Sequence, residues 1–242
     1  MGPVLLCAPL QAIASHQFTT RALQLRDQDG EWDTVARSVG IARAGLRLIR
    51  QVHGTASAVA RRGDAAPWTP PQADIILSDD PGVAIGVRVA DCAPVLIADR
   101  RIGVVGAAHA GWRGTAQGVA GAAVSALARE FGSRPQDLIT AIGPCLGPCC
   151  GEVGEEVPQA FLDHGHSAGD VERWFRRPPG GRPHVDLWQA NRDQLEAAGV
   201  LPANIYSADL CTKTHAATFH SYRADGANAG RMVGVIRKRD KG

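Results

Sequence analysis

Aromatic residues are scarce, with Phe, Trp and Tyr together making up 5% of the 242 positions. Lys and Arg number 26 against 24 Asp and Glu, without a basic block. A nucleic-acid-binding surface needs stacking platforms and a positive stripe, and neither is present in the sequence. The formal net charge of +2 says little about partners. No apolar run is long enough to span a bilayer. Residues 4–14 are apolar, but no Lys or Arg precedes them and Pro9 and Gln11 interrupt them. They read as the first strand of a domain rather than a secretory signal. Six cysteines are too few to staple a chain of this size, and that usage predicts a reduced, cytoplasmic setting. Histidine is limiting too: there are eight, with one His-x-His pair at His164 and His166 in a Gly/Pro-rich stretch. A four-copper oxidase needs on the order of ten histidine ligands in several such pairs. Counting excludes it.

What remains is ordinary globular material, 45% hydrophobic, enough for a substantial core. No repeat or linker divides it, so residues 1–242 read as one domain. Hydrophobic patterning predicts strands over 46–54, 73–78, 83–89, 102–108, 138–142, 205–210, 218–222 and 232–237. Residues 95–99 continue the 83–89 strand beyond Pro94. Helices are predicted over 32–44, 115–131, 154–163 and 186–198. Thr115 and Asp186 are the expected N-caps of the second and fourth, and Gly132 and Gly199 their stops. Residues 61–72 and 164–183, polar and rich in Gly and Pro, read as surface loops, the latter mobile. Strands outnumber helices and some follow each other directly, which predicts an α/β (α+β) fold with mixed sheets.

The chemistry gathers at strand ends. The apolar run 102–108 leads into His109-Ala110-Gly111-Trp112-Arg113-Gly114, placing a histidine at a strand end and Arg113 just before a helix. A helix start attracts anions, and the arginine fork suits phosphate. The plainer reading is a tight turn with a core histidine and a solvated arginine. His53 and Cys92 occupy similar places, each followed by Gly or by Ala-Pro. Two imidazoles and a thiolate suit Zn²⁺, or copper in another geometry, and three protein donors leave one position for a reactant. Asp91 would orient a ligand, act as a base or cap the turn. Cys145 is a candidate pocket residue, Cys149 and Cys150 read as small thiols packing a Gly/Pro loop, and Cys211 is core or pocket wall. The zinc-deaminase Pro-Cys-x-x-Cys pattern is missed by one residue and lacks its His-x-Glu partner. Without a metal, Cys92 and His109 would instead form a nucleophile–base pair. A purely structural zinc would take its fourth donor from Cys145 or Cys211.

Several motifs resemble the YfiH-like, or laccase-domain, family. They are Gln51-Val52-His53-Gly54, Ala90-Asp91-Cys92-Ala93-Pro94-Val95-Leu96, His109-Ala110-Gly111-Trp112-Arg113-Gly114 and Ala141-Ile142-Gly143-Pro144-Cys145-Leu146-Gly147-Pro148-Cys149-Cys150. Asp186-Leu187-Trp188 and the tail Ser221-Tyr222-Arg223-Ala224-Asp225-Gly226 with Gly230-Arg231-Met232 fit as well, so the likeness runs from Phe18 to Ile236. It implies a single α/β domain with mixed sheets sandwiched between helices, and a Zn²⁺ site (Cu²⁺ in older descriptions) at His53, Cys92 and His109. The implied activity is purine nucleoside phosphorolysis of adenosine, inosine and methylthioadenosine, with adenosine deamination. Other descriptions in the family are copper-dependent polyphenol oxidation and editing of peptidoglycan precursors. The expected partners are a purine nucleoside and phosphate, with no nucleic acid and no membrane, in a monomer or weak homo-oligomer. Cys92, His109, Asp91 and Arg113 become the expected catalytic set, and Arg113, Cys145 and Arg223 the expected substrate contacts. A non-enzymatic alternative is a zinc-stabilised partner protein. The chain departs from the family pattern at Ala22-Leu23, where a glycine pair is usual, and at Gly151, where tyrosine is common.

Overall fold

Two sheets pack face to face, and helices cover their outer faces in this computed structural model, which describes residues 2–26, 29–64 and 67–239. The strands are β1 (Ala14–Phe18), β2 (Leu46–Leu48), β3 (Ser57–Ala60), β4 (Ile75–Ser78), β5 (Ala84–Val89), β6 (Ala93–Asp99), β7 (Val105–Ala110), β8 (Leu138–Ile142), β9 (Phe175–Arg176), β10 (His184–Val185), β11 (Ile205–Ser207) and β12 (Met232–Lys238). One sheet has the order β1-β12-β5-β2, the other β11-β8-β6-β7-β4-β3, and β9 and β10 form a separate hairpin. Both large sheets mix parallel and antiparallel neighbours. The expected single α/β domain with sheets between helices is what the chain forms.

Period-2 alternation explains the layers. In β6, Leu96 and Ala98 face the other sheet, where they meet Ile85, Val87 and Ile236, while Val95 and Ile97 face the helices Val119–Phe131 and Leu187–Ala197. In β12, Val233 and Val235 pack outward against Trp32, Val35 and Ala36 of the helix Asp29–Ser38. Strands covered on both sides read as continuous apolar runs, which is why β6 and β7 are buried at every position. Each fully buried Leu, Ile or Val contributes about 1.5–3 kcal/mol.

Several predicted elements differ from those observed. Residues 83–99 are two strands in different sheets, because Asp91 turns the chain with φ +85 and carries it from one sheet to the other. The strand predicted over 46–54 stops at Leu48, since the amides of Val52, His53 and Gly54 bond the Asp74 carboxylate instead of a ladder. The helix predicted over 115–131 begins at Trp112, ends at Ala116, and restarts at Val119 after Gly118, whose φ is +80. Thr115 is therefore no cap; it is buried inside the first segment, facing Asn191. Gly132 does stop the second segment, in the left-handed conformation, and Asp186 caps its helix by accepting from the Gln189 amide.

The 164–183 stretch is more ordered than its composition suggests. Ser167 caps the helix Ala168–Trp174, and Trp174 is buried with its indole N–H donated to Asp193 at 2.7 Å. Its two buried anchors, Val171 and Trp174, stand three apart as on a helix face but are too few among polar residues to announce one. Residues 218–222 form no strand, because Ser221 caps the short helix Tyr222–Asp225. At the N-terminus, Leu5 bridges Phe18 and a helical turn over Ala8–Gln11 replaces the predicted strand. The helix predicted over 32–44 is Asp29–Ser38, followed by a 3₁₀ turn at Arg43–Gly45. Of the loop predicted over 61–72, Ala65 and Ala66 lie outside the described residues, as do Asp27 and Gln28. No helix among the described residues is long and apolar enough to cross a membrane.

Candidate metal centre

The crossing between the sheets puts the predicted donors together. β6 and β7 are antiparallel, with Ala93 opposite Ala110, so the residue before β6 (Cys92) and one at the end of β7 (His109) meet. His53 arrives from the first sheet, on the turn after β2. Ligand atoms of His53, Cys92 and His109 all lie within 4.8 Å of one another, and Cys92 Sγ is 4.0 Å from His53 Nε2. The two imidazole rings stack edge-on, with centroids 4.8 Å apart. No fourth His, Cys, Asp or Glu among the described residues joins this group, and Cys145 and Cys211 are not in it.

Asp74 holds the arrangement, and sequence reasoning placed it only as part of a strand. It is fully buried at the start of β4. Its carboxylate accepts from the amides of Val52 (3.1 Å), His53 (2.9 Å) and Gly54 (2.8 Å), and from His109 Nδ1 at 2.8 Å. The three amide bonds pin the His53 turn, where His53 itself has φ +63. The fourth fixes the His109 ring so that Nε2 is left for the centre. This is the carboxylate–histidine arrangement that orients metal ligands. A signal was present: an acid inside Ala73-Asp74-Ile75-Ile76-Leu77 must be paired to be buried.

The electrostatics agree. Burial alone would raise the Asp74 carboxyl, but the bonds from His109, Gly54 and Val52 outweigh it and hold it below its usual range. Burial would also raise the Cys92 thiol, yet the positive His109 and hydrogen bonds from both histidines bring it down to about 6. For His109, burial favours the neutral ring, but the Cys92 thiolate and Asp74 push it up to about 9. A thiolate–imidazolium pair results at neutral pH. Backbone space is equally specific. A Cβ on Gly111 would lie 2.8 Å from Cys92 Sγ and 3.0 Å from His53 Cδ2, so only glycine lets the chain pass this close.

The donor set fits a tetrahedral ion. Bonds of about 2.0–2.1 Å to nitrogen and 2.3 Å to sulfur imply a nitrogen–sulfur separation of about 3.6 Å, a few tenths inside the separation found for Cys92 and His53. The three residues open onto a cavity of about 840 Å³. Among the described residues six arginines line it (Arg26, Arg50, Arg88, Arg113, Arg223 and Arg231), against one carboxylate, Asp91. Four of these arginines were not singled out from the sequence, because they are scattered over four separate segments. Arg113 lies in the first turn of Trp112–Ala116 and stacks on the Trp112 ring at 4.2 Å. Arg223 donates to the carbonyls of Cys150 and Glu152. Asp91 accepts from the Thr212 hydroxyl at 2.6 Å and the Arg223 amide at 2.6 Å, which ties the crossing loop to the tail. Cys145 is fully buried behind the wall, and its neighbour Leu146 is the residue that lines the cavity.

A family profile described as multi-copper polyphenol oxidoreductase laccase matches residues 29–239. The chain belongs to this YfiH-like, laccase-domain family. Among relatives, a purine nucleoside phosphorylase of Deinococcus radiodurans is 36% identical, with 97% of this chain and 93% of that protein covered. An adenosine deaminase RL5 from an unknown prokaryotic organism is 36% identical over 85% of this chain and 80% of its own. The match to a purine nucleoside phosphorylase of Bacteroides thetaiotaomicron, also 36% identical, takes in 67% of this chain but 60% of that protein. The crystal structure of a Bacillus licheniformis hypothetical protein YfiH superposes with a TM-score of 0.88 at 26% identity, covering 98% of this chain and 96% of that one. The family's frequent tyrosine has no room at Gly151 here, where even a Cβ would lie 2.7 Å from the Val185 carbonyl.

Proposed function

We propose that the chain is a metal-dependent purine nucleoside phosphorylase, with Zn²⁺ (alternatively Cu²⁺) at His53, Cys92 and His109. Adenosine, inosine and methylthioadenosine are its substrates, and adenosine deamination is a second activity. One observation carries the reading: three metal donors, with no fourth among the described residues, share a cavity with six arginines. That is a place for an anion beside a polarising centre. Relatives named as phosphorylases and as a deaminase support it.

In phosphorolysis a phosphate oxygen bonds to the ribosyl C1′ while the C1′–N9 bond breaks, and the departing purine takes up a proton. Arg113, preorganised on Trp112, and Arg223, fixed by two carbonyls, offer donor forks to the phosphate. Holding phosphate against the nucleoside supplies the larger part of the acceleration, since both partners are placed at no further entropic cost. An ion held by His53, Cys92 and His109 would supply Lewis acidity at the cavity they open onto. In deamination water replaces the amino group at purine C6 and ammonia leaves; Asp91, on the cavity wall, is the group assigned to move the proton. The six unpaired cysteines support a reducing, cytoplasmic setting.

Product analysis tests the assignment. Adenosine and inosine are incubated with and without phosphate; ribose 1-phosphate in the phosphate-containing samples is expected, with inosine or hypoxanthine from adenosine. Absence of all these products removes the reading. A metal-free cysteine hydrolase is the second reading, favoured by the depressed Cys92 thiol beside His109. Stoichiometric metal that disappears in Cys92→Ala decides against it.

A further inference from the structure

A second cluster of soft donors lies outside the centre described above. Ligand atoms of Cys149, Cys150 and Cys211 also lie within 4.8 Å of one another, and all three thiols are free. The two segments that supply them follow neighbouring parallel strands, β8 and β11, and are joined by a backbone bridge between Cys145 and Cys211. We propose that Cys149, Cys150 and Cys211 form a second, structural site for a thiophilic d¹⁰ cation, Zn²⁺ or Cu⁺.

Three further observations support this. With metal–sulfur bonds of about 2.3 Å, sulfurs around one ion stand roughly 3.8–4.0 Å apart in tetrahedral or trigonal geometry, within the observed spread. The site also has a mouth: a cavity of about 310 Å³ is lined by Cys149 and Cys211 together with Asp209, Thr214 and His215. That leaves room for a solvent ligand. Finally, Trp188 closes over Gly147, where a Cβ would lie 2.3 Å from its ring, which holds the loop against Cys211.

The location gives the ion a task. Cys150 offers its carbonyl to Arg223, and Cys211 precedes Thr212, whose hydroxyl binds Asp91. Clamping the two segments together braces the wall of the large cavity that presents Asp91 and Arg223.

The test counts ions in the reduced full-length chain under anaerobic conditions, with Zn²⁺ and Cu⁺ titrated separately. Two equivalents are expected for the unmodified protein with at least one of the cations. One equivalent is expected for Cys211→Ser and for Cys149→Ser, the latter at an exposed position that leaves folding intact. His53→Asn should also bind one, and Co²⁺ bound by that variant should show the intense charge-transfer absorption of several thiolates. Whichever cation is lost in Cys149→Ser is the site's ion. A single equivalent in the unmodified chain, unchanged by Cys149→Ser, overturns the proposal. So does a chain lighter by two hydrogens, with Cys211 disulfide-linked and no metal held.

Discussion

Replacing Asp74 by Asn probes the part of the centre that the sequence did not advertise. The carboxylate accepts four hydrogen bonds, two on each oxygen: His53 N–H and His109 Nδ1 on one, Val52 and Gly54 N–H on the other. An amide keeps one oxygen and turns the other acceptor into a donor. Two of the four bonds are lost, and two buried donors then face an NH₂ group. Hydrogen bonds to a charged partner contribute about 1.5–3 kcal/mol each, so the loss is about 3–6 kcal/mol. For a chain of this length that corresponds to a fall in melting temperature of roughly 6–24 °C. Metal affinity should fall as well, about 10–100-fold, because His109 loses the partner that fixes its ring. Thermal unfolding of the metal-free variant and chelator competition for Zn²⁺ read the two effects separately. A melting temperature within about 2 °C of the parent and an unchanged affinity would refute the role given to Asp74.

The pH dependence of metal binding follows from the Cys92–His109 pair. His109, raised to about 9, favours folding below its unfolded value and loses that contribution as pH rises through 9; Cys92, lowered to about 6, favours folding above its unfolded value and loses it as pH falls through 6. Between these limits the pair holds one proton whether folded or unfolded, so its contribution to metal-free stability is nearly flat from pH 7 to 9. Zn²⁺ binding must expel that proton, which calorimetry in buffers of different ionisation heat should count as about one per ion at pH 7.5. Affinity then rises about tenfold per pH unit up to 9 and levels off; no proton release contradicts the pairing. His53→Asn, an exposed site whose left-handed backbone asparagine tolerates, should reduce affinity by about 100-fold or more while leaving metal-free melting within about 2 °C. A large loss of metal-free stability would instead mark His53 as a structural residue. Gly111→Ala should weaken Zn²⁺ by about tenfold or more in the same competition assay, since its methyl meets Cys92 and His53; an unchanged affinity would show that the donors have slack.

Residues that act through their own strand were legible in the sequence. The buried runs of β6, β7 and β8 announce themselves as continuous apolar segments, Asp186 and Gly199 bracket a helix, and His53, Cys92 and His109 stand out at breaks in apolar pattern. Local chemistry dictates each of these: side-chain period, cap hydrogen bonds and left-handed glycines. The sequence alone therefore pointed to the fully buried strands, the mixed α/β class and three candidate donors that the fold brings together. Tertiary structure decided the rest, because it depends on which distant segments meet. Residues 83–99 look like one interrupted strand, and only packing shows that the chain changes sheets at Asp91. Asp74 is an ordinary acid until burial leaves it no water and four donors surround it. The arginines are scattered and nearly balanced by acids along the chain, yet six converge on one cavity, and two thiols that read as loop packing meet Cys211 in a cluster. Charge and coordination depend on distance in space, and that distance is set by the fold.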